Sequence, residues 1–134
     1  MNQPPQNVTL ASAYAATSAD AAWDIVSDPA QWPNLFPGWL ARIAADDDSF
    51  HATGTAGERY DLYWHPSDDR RSLDVEIVDE MGSADVLRLR LIDARGGGCF
   101  VVVAAGRLAG VSDADWRRTC DALADGVRNV GAAV

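Results

Sequence analysis

Side chains that could do chemistry are few and widely spaced in this 134-residue chain. Its only histidines are His51 and His65, and its only cysteines are Cys99 and Cys120. Metal sites usually need such residues at short spacings, as in C-x-x-C or H-x-x-x-H, and none occur here. The glycine run 96–98 lacks the lysine and following helix of a phosphate-binding loop. The sequence also has no evident Ser-His-Asp set, so we predict no metal and no cofactor.

Two residues are the best candidates for donor or acid–base chemistry. Tyr60 alternates with Leu62 and Trp64, so its phenol would lie on an otherwise apolar strand face. His51 is a candidate because histidine is the side chain that most often moves protons in catalysis. We therefore predict Tyr60 and His51 as catalytic residues. The alternative for Tyr60 is a structural hydrogen bond to a neighbouring backbone carbonyl, and His65 is predicted to be exposed.

The charge balance restricts the partners. Eleven basic residues, all arginine, stand against twenty acidic ones, which gives a net charge of −9. Nucleic acids and anionic membranes attract basic surfaces, so neither is an expected partner. No apolar run approaches the ~20 residues of a membrane-spanning helix, and the N-terminus lacks the features of a signal peptide. We expect a cytoplasmic protein with reduced thiols, either a monomer or a homodimer.

The elements that would position these residues form one domain over 8–134, after a disordered segment 1–7. Thr17 or Ser18 can cap a first helix, which should end before Pro29. A second short helix is expected over 30–36. Strict alternation of leucine and arginine over 87–91 predicts a strand with one dry and one wet face. The predicted strands are 8–15, 39–46, 49–55, 58–65, 71–80, 84–94 and 98–107.

The last segment, from Ser112 to Val130, has the strongest helical pattern. Ser112 and Asp115 resemble a capping box, and an apolar stripe recurs at intervals of three and four residues. The stripe consists of Trp116, Cys120, Leu123, Val127 and Val130. We predict an α+β fold in which a curved, seven-stranded antiparallel sheet wraps around this helix, with two short helices after the first strand. A sheet curved around one helix favours a cavity between them, which is a common kind of ligand site.

One segment adds a family resemblance. The residues TSADAAWDIVSDPAQWP at 17–33, followed by LFPGW at 35–39, resemble the opening of the SRPBCC or START-like helix-grip superfamily. Within it, the chain is most similar to small bacterial polyketide cyclase/dehydrase-like proteins. The resemblance covers about residues 8–130 and is specific for fold rather than function. Aromatase/cyclases of this kind tend to carry a cavity arginine at or beside the position of Trp64.

The resemblance implies a cavity that binds an apolar small molecule. Such a protein would promote a cyclisation or dehydration by holding its substrate near the reactive geometry. The alternative is a carrier, without catalysis, for a hydrophobic metabolite or lipid. The predicted ligand-binding residues lie on the second helix, the strands and the last helix: Trp32, Phe36, Trp64, Leu89, Trp116, Thr119 and Cys120. For Trp32 and Phe36, a packing role is the alternative to a gate at the cavity mouth.

Overall fold

Strands and helices follow one another in the order that the sequence predicts. The computed structural model describes residues 7–133, so the predicted disordered segment 1–7 lies outside the described residues except for Asn7. The strands are β1 (Val8–Ala15), β2 (Leu40–Ala45), β3 (Phe50–Gly54), β4 (Arg59–Pro66), β5 (Ser72–Asp79), β6 (Ala84–Asp93) and β7 (Cys99–Gly106). The helices are α1 (Ala19–Val26), α2 (Trp32–Leu35) and α3 (Asp113–Ala132).

The seven strands form one antiparallel sheet in the order β1-β7-β6-β5-β4-β3-β2. Alternation along β6 is as predicted, since its leucines at 87, 89 and 91 are buried. The two arginines between them lie on the opposite, convex face. There Arg88 and Arg90 approach the carboxylate of Asp74 at 3.4 and 2.8 Å. The predicted seven-stranded sheet with a long C-terminal helix is confirmed.

Polar caps set the helix boundaries. Ser18 Oγ accepts a hydrogen bond from the amide of Ala21 at 3.1 Å, so α1 begins directly after Ser18. Ser112 Oγ accepts one from the amide of Asp115 at 3.1 Å and caps α3 in the same way. The second predicted helix is shorter than expected. It consists of a 3₁₀ turn over Pro29–Gln31, followed by the single turn of α2.

The C-terminal helix α3 does not cover the concave face of the sheet alone. Besides α3, the short α2 segment lies on this face, with Trp32 and Phe36 fully buried. The side-chain amide of Asn129 on α3 donates to the carbonyl oxygen of Leu35 at 2.8 Å and ties the two helices together. Gly126 of α3 permits this close approach, because a Cβ there would lie 2.0 Å from a ring carbon of Phe36.

None of the helices within residues 7–133 is both long and apolar enough to cross a membrane.

Candidate functional site

A cavity of about 220 Å³ lies between the N-terminal half of α3 and the concave face of the sheet. The strands β4 to β7 and the loop between β7 and α3 supply its walls. Aliphatic side chains are the largest group in the lining: Ile77, Val86, Leu87, Ala105, Leu108, Val111 and Leu123. Since α2 and its aromatic side chains fill the other part of the concave face, the cavity occupies only one end of the sheet.

Three aromatic side chains complete the apolar lining. Trp39 follows α2, Tyr60 lies on β4, and Trp116 lies in the first turns of α3. The rings of Trp39 and Tyr60 are 6.1 Å apart between centroids, which is within the range of favourable aromatic pairs. A ligand in the cavity would therefore meet aromatic rings from both the sheet and the helix.

Tyr60 carries the hydroxyl of greatest chemical interest. Its phenol lies 3.5 Å from a carboxylate oxygen of Glu58, two residues earlier on the same face of the chain. Burial, together with the negative charge of Glu58, raises the pKa of Tyr60 to about 12. The phenol thus stays protonated at neutral pH, and it can donate a hydrogen bond to an oxygen atom of a ligand rather than accept a proton.

The remaining polar groups of the lining are mostly carboxylates. Asp85 lies on β6 on the same face as Leu87, while Asp115 lies in the first turn of α3. Thr119 also lines the cavity, but its hydroxyl donates to the backbone carbonyl of Asp115 at 3.0 Å. Glu58, Asp85 and Asp115 were not among the site residues predicted from the sequence. A signal for Glu58 and Asp85 was present in the sequence, because each acid alternates with the apolar residues that follow it and therefore lies on an apolar strand face.

Three of the predicted site residues line the cavity, namely Tyr60, Trp116 and Thr119. Cys120 is half-buried on α3 but is not part of the lining. Four more predicted residues lie in or against the core and are not part of the lining: Trp32, Phe36 and Leu89 are fully buried, and Trp64 is half-buried. For these residues and for Cys120, ligand contact stays a prediction.

An aromatic stack connects the buried residues to the cavity. Trp32 contacts Phe36, Trp39 and Trp64, with ring centroids 4.9, 6.2 and 4.8 Å apart. Two indole N–H groups donate to backbone carbonyls at the C-terminal end of α1: Trp32 donates to Val26 at 2.8 Å, and Trp64 donates to Ser27 at 3.0 Å. This stack fixes the position of Trp39, which is its member on the cavity wall.

His51 lies on the convex face of the sheet, away from the cavity. Its two ring nitrogens are 2.7 and 2.6 Å from carboxylate oxygens of Asp46 and Asp61. Hydrogen bonds to Asp46 and Asp61 raise the pKa of its imidazole above the ordinary value. Because His51 and Tyr60 lie on opposite faces, the structure does not bring the two predicted catalytic residues together.

No family model matches the chain, and no curated protein matches it. Solved structures do. A START superfamily protein from Mycobacterium smegmatis superposes with a TM-score of 0.74 at 11% identity, covering 96% of this chain and 97% of that one. Norcoclaurine synthase from Thalictrum flavum, in complex with a transition-state analogue, gives 0.60 at 16% identity, covering 91% and 94%.

A third similar structure is that of a protein from a biosynthetic locus. A protein of the dynemicin biosynthetic locus gives a TM-score of 0.68 at 15% identity, covering 96% of this chain and 47% of that one. At such identities the similarity concerns the fold. The chain has the START-like helix-grip fold, as its opening segment indicates.

Proposed function

We propose that the protein binds a compact, largely apolar small molecule in the cavity between α3 and the sheet, and promotes a cyclisation or dehydration of that molecule. The observation that carries the proposal is a cavity of about 220 Å³ whose apolar wall holds one phenol–carboxylate pair, Tyr60 and Glu58. Ligand sites are typically apolar clefts in which a few polar groups fix the orientation.

The phenol and the carboxylate of this pair would have different roles. Tyr60 would donate a hydrogen bond to a carbonyl oxygen of the substrate, where negative charge develops as an enolate forms. Glu58 would take the proton from the adjacent carbon. The new carbon–carbon bond forms when this carbon attacks a second carbonyl, and the Glu58 carboxyl returns its proton to the resulting alkoxide. Water then leaves, made from this hydroxyl group and the second proton of the attacking carbon, and the unsaturated ring is formed. The cavity walls would hold the two carbonyl groups near each other during these steps.

Binding is tested with two variants of neighbouring residues on β7. Ala105 lines the cavity, whereas Ala104 lies on the convex face. We expect Ala105→Leu to abolish calorimetric binding of 4-phenylbutanol, because the larger side chain fills the space that the probe needs. Ala104→Leu should bind like the wild type. If the wild type binds no neutral probe of this size, or if both variants bind equally, the cavity is not the ligand site.

Catalysis is tested with two tyrosines of β4 that lie on opposite faces. Heptane-2,6-dione can close to 3-methylcyclohex-2-enone with loss of one water, and the enone is followed by its ultraviolet absorbance. Tyr60→Phe should lower turnover by about 10²–10³, the usual cost of losing one donor to a developing oxyanion. Tyr63→Phe, on the convex face, should leave turnover unchanged.

A carrier is the second candidate, and the largely apolar lining favours it. Both hydroxyls of the lining already have an acceptor within the protein, since Tyr60 donates to Glu58 at 3.5 Å and Thr119 donates to the backbone carbonyl of Asp115 at 3.0 Å. A carrier needs only shape and apolar surface. Binding of ketone probes without any turnover by the wild type would favour the carrier over the cyclase.

A further inference from the structure

The cavity has an unusual charge distribution. Three carboxylates, those of Glu58, Asp85 and Asp115, belong to its lining, and no arginine, lysine or histidine does. Glu58 and Asp85 are half-buried, while Asp115 is exposed at the rim. A carboxylate beside an apolar cavity is less well hydrated than one in water, so it gains more from a cation that enters the cavity.

Glu58 and Asp85 have no cationic partner in the part of the chain that the structure describes. Among residues 7–133, no arginine or histidine nitrogen lies within 4.0 Å of either carboxylate, and the chain contains no lysine. Their oxygen atoms accept only short-range bonds: Glu58 from the amide of Ala56 at 2.8 Å and from Tyr60, and Asp85 from the amide of Val86 at 2.7 Å.

Two arginines near the cavity, Arg107 and Arg118, are already engaged with other groups. Arg107 follows β7 at the same end of the sheet, but its guanidinium binds the carbonyl oxygen of Val111 and, at 2.8 Å, the carboxylate of Asp113. Arg118 forms an ion pair with Asp115 one turn along α3. The charge of Asp115 is thus partly balanced, whereas the charges of Glu58 and Asp85 are not.

Two glycines make room for these carboxylates. A Cβ at Gly54 would lie 2.4 Å from a carboxylate oxygen of Glu58, and a Cβ at Gly106 would lie 1.9 Å from one of Asp85. Each carboxylate therefore occupies a place on a neighbouring strand that any other residue would fill. The local sequence thus fits both acids against the sheet at the cavity instead of leaving them free in solvent.

The aromatic rings of the lining suit the same kind of ligand. Trp39, Tyr60 and Trp116 present π-systems to a cavity that also holds carboxylates. Ammonium groups are attracted to aromatic faces, most strongly to tryptophan. We propose, building on the proposed function, that the cavity selects ligands with a compact apolar body and one protonated amine, whose ammonium group pairs with either of two carboxylates of the lining, Glu58 or Asp85.

The test compares three probes that share one apolar body. These are 4-phenylbutylamine, 4-phenylbutanol and 4-phenylbutyrate, which are cationic, neutral and anionic at neutral pH. Calorimetric titration of the wild type should show the amine binding about tenfold or more tightly than the alcohol, since a hydrogen bond to a charged group contributes about 1.5–3 kcal/mol. The anionic probe should bind more weakly than the alcohol.

Charge variants locate the source of the preference. Glu58→Gln combined with Asp85→Asn should reduce the amine-to-alcohol ratio to about one while the alcohol affinity stays within about threefold. The matched control, Asp47→Asn combined with Asp121→Asn, removes two exposed acids outside the lining and should keep the ratio. If the double cavity variant does not fold, each single variant should lose part of the preference.

Other results of these titrations would refute specific parts of the proposal. Equal binding of amine and alcohol by the wild type refutes the amine preference but leaves the proposed apolar site intact. A preference that survives in the cavity variants, or that is lost in the control, refutes the assignment to Glu58 and Asp85. If no probe of the series binds, the amine preference and the proposed function both fail.

Discussion

Gly126 on α3 offers the sharpest test of how the two helices pack over the sheet. In most helices, changing an exposed glycine to alanine stabilises the fold by about 1 kcal/mol, because glycine has the lower helix propensity. Gly126 is buried, however, and an alanine Cβ would lie 2.0 and 2.1 Å from two ring carbons of Phe36. Both distances are far below van der Waals contact, so either the ring or the helix must move.

Phe36 has little freedom to move. It is fully buried and packs against Trp32 and Trp39, with ring centroids 4.9 and 6.2 Å apart. Overpacking of a well-filled core usually costs about 1–3 kcal/mol, and the present clash falls at the upper end of that range or beyond it. After the gain in helix propensity is subtracted, Gly126→Ala should lower the free energy of unfolding by about 2 kcal/mol.

Urea denaturation monitored by tryptophan fluorescence measures this difference. A loss of about 2 kcal/mol also corresponds to a melting temperature lower by roughly 8 °C for a domain of this size. The control is Gly131→Ala on the same helix, where the new Cβ meets Ala15 at an ordinary 3.4 Å and no loss is expected. An equal or higher stability of Gly126→Ala would refute the described packing of α2 against α3.

Three further outcomes are expected. Leu123→Ala should lower the free energy of unfolding by about 2–5 kcal/mol in urea denaturation, because Leu123 is 1% exposed, and an unchanged transition would contradict its place in the core. An NMR titration should give His51 a pKa above the usual 6.5, and Asp61→Asn should lower it. Because the pKa of His51 is raised in the folded protein, its interactions stabilise the fold fully below pH 6.5, and this stabilisation is lost as the pH rises through the folded-state pKa. A His51-dependent stability that increased over the same pH range would exclude the ion pair with Asp46 and Asp61. Ultraviolet titration should show one tyrosine ionising near pH 12, and this signal should vanish in Tyr60→Phe but not in Tyr63→Phe.

Local patterns were sufficient to predict the elements and their faces. Ser18 and Ser112 cap helices because a serine oxygen can satisfy free amides at a helix start, which depends only on neighbouring residues. The buried face of β6 followed from strict alternation over 87–91. These features are properties of a few consecutive residues, so a single sequence reveals them.

The position of the cavity along the sheet could not be predicted in this way. Leu87 and Leu89 share one face of β6, yet only Leu87 lines the cavity, while Leu89 lies in the filled part of the core. The difference depends on where α2 crosses the sheet, and hence on the contact of Phe36 with Gly126. Alternation identifies the face of a strand, but it does not determine which side chain of another element lies above each position.

The sheet order also determines when the fold can be completed during synthesis. Five of its six strand pairings join neighbours along the chain, and the sixth joins β1 to β7, with Val8 opposite Gly106. The hairpins of β2 to β7 can therefore form as soon as each pair of strands has been made, whereas β1 must wait for almost the entire chain. Such a distant pairing raises the contact order and slows folding. Until β7 is available, β1 cannot join the sheet, and its strand edges stay unpaired.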